Sequence, residues 1–454
     1  MERELWLLLA TLAISLLCYL TSLRRPSSNS RRPPGPRPLP VIGNLLNLNG
    51  NLHHTLAHLA RVHGPVMLLK MGLTTTVVVS SRDAAREAFT RHDRRLAARA
   101  IPDTARMPGF SNRSMIWLPS ADQRWKTMRG IVATHVFSPR SLATMRGVRE
   151  RKVRDLVSFI RERAGQEVDV GQAVYGGVLN ILPLDLQGLR RRAAAVYGKV
   201  FRVLDDVIDG RLAEYSSSKN KHSDFLDALL QLMSTGTIPR EGVRAVMFDI
   251  FVAGSDTMAI TVVWAMAELL RNPGIMAKVR AELKDTLGCK ETMEEPDVAS
   301  LPYLQAVVKE ALRLHPVAPI LMPHQAVEDG IEIGGYVVPK GSTVIFNVWA
   351  IMRDAAAWER PDEFVPERWF LDRVAEMEFR GKDFEFIPFG SGRRLCPGLP
   401  MAERVVPFIL ASLLHAFEWK LPNGMTAELL DVSEIFTTTN VMAVPLRAVP
   451  TMIT

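Results

Sequence analysis

Apolar and polar positions along the chain follow two periods. Between about residues 51 and 450, apolar residues recur at spacings of three and four, as in Val148 to Arg163 and Val196 to Tyr215, which predicts helices with one buried face. Short runs of β-formers interrupt them at Val66 to Met71, Thr76 to Ser80, Ile331 to Val338 and Val344 to Val348. The expectation is a mainly α fold with a minor β-sheet region. No Gly/Ser linker, internal repeat or charge block divides residues 51–454, so they are read as one large domain.

Two stretches break the amphipathic pattern. Leu5 to Leu23 is nineteen residues without a charge. As a helix it would run roughly 28 Å, close to the hydrocarbon thickness of a bilayer, which predicts a transmembrane anchor within residues 1–25. Glu2, Arg3 and Glu4 precede it and Arg24, Arg25, Arg31 and Arg32 follow it, a pattern that favours a retained anchor with a cytosolic body over a cleaved signal peptide. Pro33 to Pro40 then carries five prolines that fix φ and remove donors, so residues 26–50 are read as a basic, proline-rich hinge. The second stretch, AVMFDIFVAGSDTMAITVVWAMAELL after Arg244, is apolar on nearly all sides and should be a buried helix. Its centre nevertheless holds Gly254, Ser255, Asp256 and Thr257, poor helix-interior residues that compete for backbone hydrogen bonds. Such a helix either bends there or has polar work there.

Composition excludes several classes. With 47% hydrophobic and 23% charged residues among 454, the chain is globular and neither disordered nor fibrous. Three cysteines, Cys18, Cys289 and Cys396, are too few and too scattered for a disulfide framework or a short-spaced zinc or redox motif, which suits a reducing compartment. The net charge of +8 is dispersed, and no basic run carries interleaved aromatics. It fits an anionic membrane surface and an acidic protein partner, not nucleic acid.

Candidate chemistry gathers near the C-terminus, in Phe386-Ile387-Pro388-Phe389-Gly390-Ser391-Gly392-Arg393-Arg394-Leu395-Cys396-Pro397-Gly398, before an apolar helical run from Pro400 to Phe417. Glycines let such a loop turn sharply and approach a flat ligand. Cys396 at the mouth of a helix should be favoured as a thiolate by the helix dipole and free N–H groups, and a thiolate is a soft ligand for iron. An isolated cysteine is more commonly inert in a core, so its neighbours decide the matter. Elsewhere, Glu310 and Arg313 are three residues apart, and Trp125 and Arg129 four, spacings that share one helix face.

The loop resembles the cysteine loop of the cytochrome P-450 family, with Phe389, Gly392, Arg394, Cys396 and Gly398 on its defining positions. Further motifs follow in the family's order over nearly the whole chain. The resemblance implies a haem-thiolate fold, haem b, and Cys396 as the iron ligand. Trp125 and Arg129 match the family's Trp-x-x-x-Arg helix. With Arg394 and His324 they would serve the haem propionates, while Phe389 and Gly398 shape the cofactor loop. Glu310-Ala311-Leu312-Arg313 resembles the Glu-x-x-Arg motif, which Arg368 would complete as a structural trio bracing the loop. Ala253 to Thr257 resembles the oxygen-activating stretch, where Thr257 would donate to bound dioxygen and Asp256 would relay protons.

The implied activity is a monooxygenase that receives electrons from NADPH through a membrane-bound NADPH–cytochrome reductase and inserts one oxygen atom into an apolar small molecule. The implied address is the endoplasmic reticulum membrane, with the catalytic domain facing the cytosol. The hinge, FGSGRRLCPG and VPLRAVP resemble the plant microsomal group, in particular its geraniol-hydroxylase-like and cereal diterpenoid hydroxylases, which implies a terpenoid substrate. Expected pocket walls are Ala105 to Phe110, Phe248, Val252, Ala253, Val317 to Leu321 including Ile320, and Ile435 with Phe436, mostly apolar. The chain departs from the family near residues 180–184, where Gly177-Val178-Leu179-Asn180 runs almost directly into Leu184-Asp185-Leu186-Gln187-Gly188. Family members carry several tens of further residues there, including a helix that roofs the pocket. Two other readings stay open: a haem-thiolate lyase or isomerase, which would not need Thr257, and a membrane-tethered haem binder impaired by the missing roof.

Overall fold

Val66–Met71 (β1) and Thr74–Val79 (β2) form an antiparallel pair with Val66 opposite Val79, as the wholly β-branched composition of β2 favours. The computed structural model describes residues 31–102, 105–106, 110–178, 189–217, 225–288 and 290–453, together with Glu4, Trp6, Thr11, Ala13 and Ile14. The expected anchor, apart from those five positions, and the fused segment at 180–184 lie outside the described residues. The chain divides into two compact units, one of Met1–Ala100, Ala318–Pro361 and Arg380–Leu395, the other of Ile101–Val317, Asp362–Phe379 and Cys396–Thr454.

The first unit is built on a five-stranded sheet. Ala98–Arg99 (β3), His324–Gln325 (β4) and Thr343–Phe346 (β5) join β1 and β2 in the order β1-β2-β5-β4-β3. β2 and β5 run parallel with Val77 beside Val344, and Val77, Val78 and Val79 are completely buried. The run read as one β segment from Ile331 to Val338 is a hairpin, Ile331–Ile333 paired with Tyr336–Val338. Part of the proline-rich stretch read as a spacer is laid along the edge strand β1. Leu68 N–H donates to the Pro34 carbonyl at 2.7 Å, and the Asn44 side chain joins Lys70 N–H (2.8 Å) to the Pro36 carbonyl (3.1 Å). Prolines cannot donate, but their carbonyls accept from the strand's free amides. Gly35 is required by this docking, since a Cβ there would stand 2.0 Å from the Leu68 carbonyl oxygen.

The second unit is mainly helical. Gln123–His135 (α1) starts at Asp122, whose side chain accepts the Arg124 N–H, and Val170–Val178 (α2), Arg240–Arg271 (α3), Pro302–Leu314 (α4) and Leu399–Ala416 (α5) follow. The helical runs read at Val148 and Val196 fall in Arg146–Arg161 and Leu189–Ser217. α3 packs against α2, α4 and α5. Its length and apolarity, like those of α5, would suit a membrane span, yet Ile260, Val262, Trp264 and Leu269 on α3 and Phe408 to Leu414 on α5 are core residues. Glu434–Phe436 (β6) and Asn440–Met442 (β7) form a hairpin, and Val168–Asp169, Arg447–Met452 and Phe417–Lys420 a small antiparallel sheet.

The polar patch does not interrupt α3, which is one helix of 32 residues. Ser255, Thr257 and Thr261 each donate their hydroxyl to the carbonyl four residues back, those of Phe251, Ala253 and Thr257, at 2.6, 2.7 and 2.8 Å. Back-bonding of this kind satisfies the hydroxyls locally.

Candidate active site

The cysteine loop is pinned before it reaches the cysteine. Ser391 Oγ donates to the Gly381 carbonyl at 2.6 Å, and Asp93 accepts from both the backbone N–H and the Nε of Arg393 at 3.0 Å. Gly392 sits at φ +65°, where an added Cβ would lie 2.2 Å from Asp93 Oδ1, so only glycine lets the carboxylate come this close. Asp93 lies 300 residues from the loop and carries no local signal of the role.

Cys396 follows, with Gly398 as the N-cap of α5, and its sulfur accepts the N–H groups of Gly398 and Leu399. The expectation that the helix end by itself favours a thiolate is corrected here. Burial pushes the thiol above its ordinary pKa, outweighing the two amides and the nearby charge of Arg129, because desolvation penalises the anion more than these donors repay. A metal cation at the sulfur reverses that balance, since a coordinating thiol is deprotonated outright.

Arg129, on α1, is itself lowered in pKa by burial, with the charge of Cys396 opposing the shift. The N–H of Trp125, expected to face a propionate, meets the Met115 carbonyl at 3.1 Å. In the first unit, the buried His324 shares its Nδ1 with the Leu96 carbonyl at 2.8 Å. Its pKa lies well below the ordinary value through burial first, then the charges of Arg99 and Arg394, so the imidazole is neutral. Nδ1 is then the donor to Leu96. Arg394 donates Nε–H to the Ala97 carbonyl at 2.8 Å, and Arg99 stands opposite His324 in the β3–β4 register. Arg99 was missed by sequence reading; only strand pairing brings it here.

On α3, burial raises the pKa of Asp256, and the phenol of Tyr175 on α2 is pushed up by burial and by the charge of Asp256. Asp249, two turns earlier, is another missed residue. It accepts Ser114 Oγ–H at 2.7 Å and Met115 N–H at 2.6 Å, and burial drives its pKa to about 7. It thereby fastens to α3 the segment that carries Phe110. The rings of Phe110 and Phe248 meet edge to face at 4.8 Å, with Phe201 against both. Val252 and Ala253 are exposed. Val317 accepts the Asn440 N–H through its carbonyl at 2.9 Å, while Ile435 and Phe436 lie on β6. In the first unit Ile320 bridges to Asn347, and Leu321 N–H bonds to the Phe346 carbonyl. Phe389 is half-buried and precedes Gly390.

Glu310 is the best-satisfied charge among those expected to matter. Its two oxygens accept from Arg313 Nε (3.0 Å) and Nη2 (2.9 Å), Arg368 Nε (3.0 Å), Val365 N–H (3.0 Å) and Trp369 Nε1–H (3.0 Å). Glu310 and Arg313 are fully buried, far from the surface pair that three-residue spacing alone would suggest.

A half-buried cysteine on two backbone amides ahead of an apolar helix, within a helical unit with minor sheets, is the arrangement a haem-thiolate protein requires. The family model for cytochrome P450 matches residues 33–183 and 177–443. The ent-cassadiene C11-alpha-hydroxylase 1 of Oryza sativa subsp. japonica is 57% identical, covering 100% of this chain and 99% of its own. The geraniol 8-hydroxylase of Swertia mussotii is 40% identical over 97% of this chain and 98% of its own. A solved zebra fish cytochrome P450, in a structure with progesterone, shares the fold with a TM-score of 0.75 at 24% identity, over 89% of this chain and 100% of its own. The chain belongs to the cytochrome P450 family and is a cytochrome P450 monooxygenase. Membership implies haem, and the donors present suit it: a cysteine sulfur for the iron, and guanidinium groups for the propionates.

Proposed function

We propose that this protein inserts one oxygen atom of dioxygen into an apolar terpenoid, drawing electrons from NADPH through an NADPH–cytochrome reductase, on the cytosolic face of the endoplasmic reticulum membrane. The observation that carries the reading is the retention, on one unbroken helix, of an acid with a raised pKa beside a hydroxyl, Asp256 and Thr257. A lyase or isomerase would need neither. Haem, when bound, supplies the activation of dioxygen. Cys396 would be its ligand and Arg129, in the same unit, would hold a propionate, with Trp125 freed from the Met115 carbonyl if it joins them; Arg394, Arg99 and His324 are the propionate candidates that the first unit offers. Asp256, whose pKa burial raises, passes a proton inward, and Thr257 orients the last hydrogen bond. The apolar residues Phe110, Phe248, Val252, Ala253, Val317, Ile435 and Phe436 of the second unit, and Ile320 and Leu321 of the first, offer no charge to a polar substrate. Relatives named for hydroxylating ent-cassadiene and geraniol support a terpenoid.

A second reading, a haem binder with impaired turnover, draws on one observation. The alignment with the cassadiene hydroxylase runs over 498 positions against 454 residues here, and the family match breaks at 177–183. About forty positions of the relative therefore lack a counterpart, consistent with the loss of a roof over the pocket. Both readings are tested by reconstitution in vesicles with reductase, NADPH, isotope-labelled dioxygen and a terpenoid panel. One labelled oxygen per product supports the monooxygenase. Product formed without NADPH supports the lyase or isomerase, and NADPH consumption without product supports impairment.

A further inference from the structure

Two of the segments expected to line the pocket are tied to α3 by a buried cluster distinct from the residues assigned to haem. Trp264 lies two helical turns beyond Thr257, is completely buried, and donates Nε1–H to the Asn440 carbonyl at 3.0 Å. Asn440, also completely buried, donates its own N–H to the Val317 carbonyl at 2.9 Å and its side-chain amide to Glu434. One residue thus joins the central helix, the segment after α4 and both strands of the β6–β7 hairpin. The indole face of Trp264 is also stacked on His315, with ring centroids 3.9 Å apart and planes 3° from parallel. His315 Nε2 meets Glu268 Oε1 at 2.7 Å, and Glu268 lies one turn beyond Trp264 on α3. Residues 315–317 are therefore held to α3 twice, by His315 directly and by Val317 through Asn440.

We infer that Trp264, His315 and Asn440 form a positioning cluster that sets where Val317 and the Ile435–Phe436 strand stand relative to Thr257, and so which carbon of an apolar substrate is oxidised. The geometry has the features this needs. A stacked, hydrogen-bonded ring pair has few alternative rotamers, and a backbone hydrogen bond at each end fixes height as well as direction. Both segments answer to the same indole, so they shift together when it changes. The inference rests on the monooxygenase reading above and adds the determinant of site selectivity.

Trp264→Phe is the test, because it keeps an aromatic ring against His315 and removes only the N–H. Expected is an unchanged thiolate-type spectrum of the reduced, carbon-monoxide-bound state. The ratio of positional products from one terpenoid should shift by roughly five- to tenfold, the factor that one lost buried hydrogen bond corresponds to, with KM changing more than kcat. His315→Phe, which keeps the stack and breaks the tie to Glu268, should shift the ratio as well. An unaltered ratio in both variants, with haem intact, overturns the inference, as does loss of haem in both, which would assign the cluster to folding alone. Should the parent protein oxidise no terpenoid, the terpenoid reading fails by itself. The cluster is then tested by the affinity order of 1-alkylimidazoles of increasing chain length, read from the haem spectrum. A changed order in Trp264→Phe supports positioning, and the parent's order overturns it.

Discussion

Glu310, fully buried, and Cys396, half-buried, are two acids of the same unit, and their surroundings treat them oppositely. The carboxylate of Glu310 is met by five donors, two of them from the fork of Arg313. The sulfur of Cys396 meets two amides and the field of one guanidinium, and burial still holds its proton on. The difference teaches which charge serves the fold and which serves chemistry. A structural charge is completed from within the chain, whereas the cysteine is left short of positive charge that a metal would supply.

Removing Glu310 breaks the first half of that comparison. Glu310→Ala leaves Arg313 and Arg368 buried without their acid, a loss of about 3–5 kcal/mol, measurable by denaturant unfolding of the holoprotein. Arg313→Lys should cost less but still be visible, because an ammonium cannot span both oxygens. A loss below about 1 kcal/mol for Glu310→Ala would show that the knot is not structural.

Asp249 is the intermediate case, an acid with donors that burial nonetheless drives to about 7. Its folded pKa lies above the ordinary 3.8, so the stability it contributes is present at low pH and is lost as pH rises through about 7. Asp249→Asn, which stays neutral, should therefore show a smaller fall in Tm between pH 5 and pH 8 than the parent protein. Parallel Tm profiles would contradict the raised pKa.

Thr257→Ala is smaller in stability and larger in chemistry. Among the described residues the hydroxyl bonds to its own helix at Ala253, so its removal should change stability by less than about 1 kcal/mol. Product per NADPH should fall, as peroxide is released in its place. Unchanged coupling would remove Thr257 from the proton path. The smallest spectral effect is expected from deleting residues 2–25, which should free the protein from vesicles at high salt with an unaltered haem spectrum. Continued membrane association would place the anchor elsewhere.

Much of the fold was legible because its signals are local. Apolar spacing marked α3, α5 and the helices at Arg146 and Leu189, a short apolar run marked β1, and β-branched runs marked β2 and β5. The Glu310–Arg313 pair was readable from three-residue spacing, but Val365 and Trp369 converge on the same carboxylate from more than fifty residues away. Asp93 and Arg99 reach the loop and His324 only through tertiary contact, and no spacing announces them. Asp249 was within reach: a lone acid in AVMFDIFV asks for buried donors. The helix end at Cys396 was visible too, yet burial, which decides the sulfur's proton, is a property of the packed unit. The anchor and the fused segment lie outside the described residues.

The most direct measurement is the absorption spectrum of the reduced, carbon-monoxide-bound haem protein, for the parent chain and for Cys396→Ser. The parent should give the thiolate-type band and the variant should lose it while remaining folded, because a hydroxyl is a weaker and harder donor to iron. A thiolate-type band that survives in Cys396→Ser would contradict Cys396 as the ligand and with it the contrast between Glu310 and Cys396.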